Sequence, residues 1–495
     1  MRRATTLPIA VLLLAGCGGE ELDPLGSRKS PAEPLGVATT DLPEDSREQA
    51  LLALREDAFR RESRFLDAAN PGHLFRATRV DQAEIDQGLW SSEELFQLGA
   101  QLFQLGFRPE DGFGGKDLPA IARFHEGRRG GPDARKCAAC HWRGGPAGAG
   151  DGADNAYLDG DGDAQSSALA RNPLSLAGGG WVEMLAREMS EELRAVRDQA
   201  LSFTKEKGYP VEVPLVAKGV GFGSITVHPD GTVDTSAVAG VDTDLVVKPF
   251  GWKGTDTTLR DAAEDALLIH HGMESDHLVA TAGPERIGPF GGLDPDGDGV
   301  TSEIAEGQVT ALTLFLAMAE TPQQIPPEQP EFVPLLAEGI AKFESIGCAV
   351  CHVPSLPVKS PRFVLPARDS DAAFEVDLAA EAAMPRLAPA SQTGTFEVHL
   401  YSDLKRHDMG PGLAEARPDR GVPGHLYLTR PLWGVARSRP YLHDAHAPTL
   451  EDAILLHGGE AQSARDAYAA MDDAQRAPIR VFLTSLTRAR RMTVP

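Results

Sequence analysis

The chain has 495 residues, with 48 Lys and Arg against 72 Asp and Glu, a formal net charge of −24. That length suits two or three domains, and an apolar fraction of 42% with 24% charged residues is ordinary for a globular protein. So acidic a chain lacks the basic face that nucleic acid requires, and no nucleic-acid partner is expected. The excess acid serves solubility, or steers a basic redox partner, equally well.

The first residues read as an export signal. Arg2 and Arg3 precede an apolar stretch from Leu7 to Ala15, too short to span a bilayer as a mature helix. It ends in Leu14-Ala15-Gly16-Cys17, which resembles a bacterial lipobox. That resemblance implies a signal peptide at 1–16, cleavage before Cys17 and lipidation of its thiol. Gly18, rather than an aspartate, then favours the outer membrane. The expected location is outside the cytoplasm, at the periplasmic side of the outer membrane or the cell surface, with the lipid as membrane anchor. An ordinary signal peptide with a chance cysteine is the other reading.

Residues 17–85 read as a tether and an N-terminal helix. The stretch from 18 to about 45 is rich in Gly, Pro, Ser and acid, and Glu48 to Phe65 has a charged helical pattern. Ser92 to Phe103 is the first core helix: Leu95, Leu98, Leu102 and Phe103 share one face, and Ser91 and Ser92 with Glu93 and Glu94 suit its start. A Gly- and charge-rich insertion from Gly106 to Arg135 leads to Cys137-Ala-Ala-Cys140-His141. Val211 to Val247 is rich in Val, Gly and Thr, with Pro229-Asp230-Gly231 as a turn between Ser224–Val227 and Thr232-Val233. Helical patterns resume at Thr258 to His270 and Glu303 to Ala319, and the Pro-rich run Thr321 to Pro330 marks a boundary. Phe332 to Phe343 then repeats the earlier helix, since Gly99-Ala-Gln-Leu-Phe103 and Gly339-Ile-Ala-Lys-Phe343 share a spacing whose glycine admits a close neighbour. Cys348-Ala-Val-Cys351-His352 follows. Ala367 to Ala390 carries no strong pattern. Pro448-Thr449 opens a helix ended by Gly458-Gly459, and Pro478 to Leu486 forms the last.

The two C-x-x-C-H pentapeptides use four of the five cysteines. At this spacing both thiols can form thioethers to one haem while the histidine reaches the iron, so His141 and His352 are the expected proximal ligands. A redox dithiol and a four-cysteine zinc site remain open to the spacing, but neither uses the histidine. The expected fold is mainly α: two cytochrome c-like haem domains, at 86–325 and 326–495, with a small β insertion near 211–247. His270-His271 before Gly272 is a doublet that could supply a departing sixth ligand, His271 being preferred, or simply be a hydrogen-bonded pair. Asp294-Pro-Asp296-Gly-Asp298-Gly299 has the alternating carboxylates of a calcium loop, but Ala305 stands where the bidentate Glu belongs, with Glu303 or Glu306 as substitutes. A hydrated acidic turn is the other reading, and Asp159-Gly-Asp161-Gly-Asp163 is a weaker version of the same pattern.

An ordered set of further stretches accompanies the motifs: Arg123-Phe-His-Glu-Gly-Arg128, Arg171-Asn-Pro-Leu-Ser-Leu176, Pro249-Phe-Gly-Trp-Lys-Gly254, His270-His-Gly-Met273 and Gly307-Gln-Val-Thr-Ala-Leu-Thr313. His407-Asp-Met-Gly410, Leu432-Trp-Gly-Val435, Tyr441-Leu-His-Asp444 and Leu456-His-Gly-Gly-Glu460 complete it. With these, the chain from Phe103 onward resembles the bacterial di-haem cytochrome c peroxidase superfamily, most of all its di-haem oxidoreductase, thiol-oxidoreductase-like branch. The resemblance implies two covalent c-type haems, one receiving electrons and one open for chemistry. It implies Met409 as sixth ligand of the second haem, with His407 as runner-up, since a thioether raises the potential. It implies Glu183 as acid/base at the first haem, with Glu188 as alternative, and an electron-relaying tryptophan among Trp181, Trp252 and Trp433. Calcium between haem domains also occurs in the superfamily. The expected partners are a small redox protein and hydrogen peroxide or another small substrate. A non-enzymatic di-haem electron carrier is the rival expectation.

Overall fold

A computed structural model describes residues 79–113, 124–125, 128–129, 134–152, 155–158, 168–281, 302–368, 370–390 and 394–488. The signal peptide, Cys17, the helix expected at Glu48–Phe65 and both acidic loops, with Asp294, Asp296 and Asp298, lie outside these residues. Among the described residues stand eleven α-helices, six two-stranded sheets and one three-stranded sheet. The fold is thus mixed, with far more short strand pairs than the single β insertion expected. The helices are α1 (Gln82–Asp86), α2 (Ser92–Gln104), α3 (Cys137–Cys140), α4 (Gly179–Lys207), α5 (Leu259–Ala266) and α6 (Asp276–Thr281). They continue with α7 (Glu306–Ala317), α8 (Val333–Ser345), α9 (Leu450–Leu455), α10 (Gln462–Ala469) and α11 (Asp473–Ser485).

Two helix pairs back the two motifs, and they are built alike. Helix α2 starts where Ser91 and Glu94 form a reciprocal capping box, satisfying two of the donors a helix start leaves open. It buries Leu95, Phe96, Leu102 and Phe103 and crosses α7, a helix buried along its whole length. At the crossing, a Cβ on Gly99 would strike the Ala311 carbonyl and the Phe315 Cβ. Helix α8 crosses α11 in the same way: a Cβ on Gly339 would strike the Pro478 carbonyl and the Phe482 Cβ. The partner residues are again four apart, 311 and 315 against 478 and 482. The aromatic contacts repeat too, with ring centroids of Phe103–Phe315 and Phe343–Phe482 both 5.1 Å apart. The Gly-x-x-x-Phe spacing is therefore one half of a duplicated helix crossing.

The 29-residue α4 runs between Gly178 and Gly208, both in left-handed conformation, and packs on α7 and on the three-stranded meander β1 (Val211–Ala217), β2 (Val220–Val227) and β3 (Val233–Asp234). The expected turn at Pro229–Gly231 joins β2 to β3, pairing Val227 with Val233. The last helix begins five residues before Pro478, because Asp472 and Gln475 make a capping box there, and Pro478 falls inside it. The Pro-rich boundary segment is itself held down, since Gln323–Gln324 pairs antiparallel with Leu486–Thr487. Glu56–Pro495 forms one compact unit that contains both motifs.

Candidate haem-binding cavity

The first motif is helical at Cys137–Cys140 and His141 follows it; the second is a short 3-10 turn at Cys348–Val350. Each histidine is set by the fold in one orientation. His141 Nδ1 lies 2.8 Å from the Leu174 carbonyl and 3.2 Å from that of Gly148. His352 Nδ1 lies 3.1 Å from the Tyr401 carbonyl. A carbonyl accepts, so Nδ1 carries the proton in both rings and Nε2 keeps its lone pair, the tautomer a metal ligand needs. Burial pushes both pKa values down to about 4, so both rings are neutral at pH 7. For His141 the nearby His270 acts in the same direction. Phe103 and Phe343, from the duplicated crossings, pack on the two rings at 6.4 and 6.3 Å.

Both motifs open on one cavity of about 560 Å³. Its wall includes Cys137 and His141 from the first motif and Cys348, Cys351 and His352 from the second. The rest is largely apolar, from residues such as Leu259, Leu312, Leu316, Leu432, Ile454 and Leu483. Burial raises the Cys137 thiol to about 12 and the Cys348 thiol to about 11. A dithiol oxidoreductase needs the opposite shift, so the redox-dithiol reading loses its chemistry here. An apolar cavity lined by three of the four motif thiols and two metal-ready imidazoles fits two haems. Arg430 fits their acidic edges: it lines the cavity, and its Nη1 donates to the neutral carbonyls of Pro249 and Gly251 at 3.2 and 3.1 Å. Its buried Nε has no hydrogen-bond partner.

One polar stretch of the wall centres on Tyr427 and His443. Tyr427 donates its hydroxyl proton to the Leu413 carbonyl at 2.7 Å, and its oxygen lies 3.2 Å from His443 Nε2. Burial lowers His443 to about 4, so this ring too is neutral at pH 7. Behind Tyr427, the fully buried Lys253 sits 3.3 Å over the phenol ring and 3.0 Å from Glu415, which also pairs with Arg171. Trp252 donates its indole N–H to Asn172 O at 2.8 Å, and Asn172 N donates to His443 O. Asn172 is two residues before Leu174, whose carbonyl holds His141. Through Asn172 this cluster is tied to the first motif, while Tyr427 pairs across the strands with His407, which lies beside Cys351 of the second. The cluster's parts come from stretches 171–176, 249–254 and 441–444 together with Leu413, Glu415 and Tyr427, but nothing local in the sequence says that they meet.

The other expected residues are placed as follows. Met409 lines the cavity, and Trp252 and Trp433 do so as well. Trp181 does not: it is core, stacked on Phe396 at 5.4 Å. His407 lines the cavity with both nitrogens taken, Nε2 by Asp403 at 2.8 Å and Nδ1 by Glu460 at 2.7 Å. Burial alone would lower its pKa, but the bonds to Asp403, Cys351 and Glu460 carry it up to about 11. His271 is buried beside the first motif, its Nδ1 2.7 Å from the Ala134 carbonyl and its Nε2 3.7 Å from Cys137 Sγ. The doublet closes a π-helical turn, Leu267–His271, that ends at left-handed Gly272. Glu183 is not on the cavity wall. Its carboxylate accepts from Leu259 N at 2.7 Å, at the start of α5. Glu188 pairs with Lys218 at 2.5 Å, also away from the cavity. His457, unassigned in the sequence reading, lines the cavity at the second motif.

Duplicated helix crossings and two C-x-x-C-H motifs on one shared cavity are features that a two-haem redox protein requires. Residues 333–486 match the family model described as "Di-haem oxidoreductase, putative peroxidase". The match supports the di-haem oxidoreductase branch, and it covers α8 to α11 with the second motif. No curated protein matches the chain.

Proposed function

We propose that this is an exported, lipid-anchored di-haem c-type oxidoreductase of peroxidase type. Electrons arrive at the C-terminal motif from a small redox protein, and a small oxidant such as hydrogen peroxide reacts at the N-terminal motif. The observation that carries this reading is the one cavity onto which both C-x-x-C-H motifs open.

Haem iron, when bound, supplies one-electron transfer and activation of oxygen bonds. The chain's own residues would do the rest. The four motif cysteines fix each group covalently, and His141 and His352 present neutral Nε2 atoms from fixed orientations. Arg430 offsets acidic charge that the apolar wall cannot solvate. Trp252 and Trp433 stand on the wall as aromatic stepping points between the motifs. Tied to the first motif through Asn172, Tyr427 and neutral His443 offer a hydroxyl and an imidazole in hydrogen-bond contact, able to hold or move a proton. Glu183, held on the α5 backbone, is not needed in that role.

The test is electron paramagnetic resonance of the protein from a haem-maturing host, oxidised and then half-reduced, with haem counted. Two haems and a high-spin ferric signal in either state, lost on adding peroxide with turnover of a reduced donor, is the expected result. Two haems low-spin throughout and inert to peroxide would make the protein an electron carrier. No haem would overturn both.

A further inference from the structure

His457 stands at the C-terminal end of α9, where Thr449 caps the helix start and Gly458-Gly459 stop its continuation. Its ring faces that of His352, with centroids 6.5 Å apart and planes at 53°. Two metal–imidazole bonds of about 2 Å each, plus a ring radius of about 1 Å at either end, put trans imidazoles about 6 Å apart, close to this separation. The tautomer agrees as well. His457 Nδ1 lies 2.7 Å from the Ala453 carbonyl one turn back, as His352 Nδ1 lies on Tyr401 O. Both rings therefore keep Nε2 as the free electron pair, and both line the same cavity. Resting on the di-haem reading above, we propose that His457, not Met409, is the sixth ligand of the C-terminal haem, giving that iron two histidines.

The consequence is functional. A histidine–methionine iron has a raised potential, whereas two imidazoles leave it lower. The C-terminal site would then be a stronger reductant toward the N-terminal one, and its electron donor must be correspondingly low in potential.

The experiment compares the full, haem-loaded wild-type chain with H457A, H457M and M409L by electron paramagnetic resonance, near-infrared magnetic circular dichroism and redox titration, with haem counted in each. The wild type should show a bis-histidine low-spin signal. H457A should lose that signal while keeping two haems. H457M should keep a low-spin iron, gain a histidine–methionine signature and shift its midpoint potential upward. M409L should retain the bis-histidine signal. The proposal is overturned if the wild type shows the histidine–methionine signature, if M409L loses the low-spin signal, or if H457A keeps it unchanged. Should H457A not fold, H457M decides: an unaltered signature and potential sink the proposal. An absence of haem in the wild type would overturn the di-haem reading itself, and the haem count separates the two failures.

Discussion

Glu183 shows how one side chain can satisfy a functional expectation in sequence and a structural one in space. Its burial raises its pKa from 4.5 to about 7, even though the Leu259 N–H bond works the other way. A carboxyl whose folded pKa lies above its unfolded value stabilises the fold at low pH and loses that contribution as pH rises through the folded pKa. The wild type should therefore lose stability between pH 4.5 and about 7 through this group, on the order of 3 kcal/mol in the limit. E183Q keeps an acceptor for Leu259 and removes the titration. Melting temperatures measured across that window should fall less steeply in E183Q, and its peroxide activity should stay within a few-fold of wild type. A loss of several orders of magnitude would return Glu183 to the chemistry. At this scale the sequence was legible where chemistry is local. Each C-x-x-C-H carries its thiols and imidazole within five residues. Tyr427 meets Leu413 and His443, Lys253 meets Glu415 and His457 meets His352, all 14 or more residues apart, so only the fold could bring them together.

Among the elements, the glycines at the two crossings make the sharpest claim. In an isolated helix Gly→Ala is favourable by up to about 1 kcal/mol. Here the added methyl would meet backbone carbonyls, Ala311 for G99A and Pro478 for G339A, which cannot rotate aside. Overpacking should win, at about 1–3 kcal/mol of destabilisation for each. Urea or thermal midpoints check this, with G221A, which meets nothing within 4 Å, as a strand control. Helices α2 and α9, capped by Ser91 and Thr449, and α7, a nearly continuous apolar run, were readable within a residue or a few. Helix α4 was not, because Gly178-Gly179-Gly180 looks like a breaker. In the fold, Gly180 lets α4 come within contact of the Ala317 carbonyl of α7, so glycine there is a packing device rather than a stop.

For the molecule as a whole, the sequence conveyed a duplicated unit of helix and C-x-x-C-H motif but not how the copies meet. Expecting two domains with one β insertion, it left out the strand pairs that tie distant segments together. Gln323–Gln324 with Leu486–Thr487 is one, and Leu356–Val358 with Phe396–Val398 is another. Such pairs are too short to leave an alternating pattern in sequence. The wider consequence lies in assembly. The cavity belongs to neither motif alone, so on the di-haem reading each cofactor, once attached, would become part of the other's wall. A chain carrying only one would retain a large apolar hole lined by α7, α9 and α11, and would be poorly packed well beyond the missing site. The C348A/C351A variant should accordingly be cut by trypsin many-fold faster than the doubly loaded protein, within both halves of the chain, as gel electrophoresis over a digestion time course would show. On the di-haem reading, maturation would then behave as all or none, with the half-finished protein the form a protease removes first.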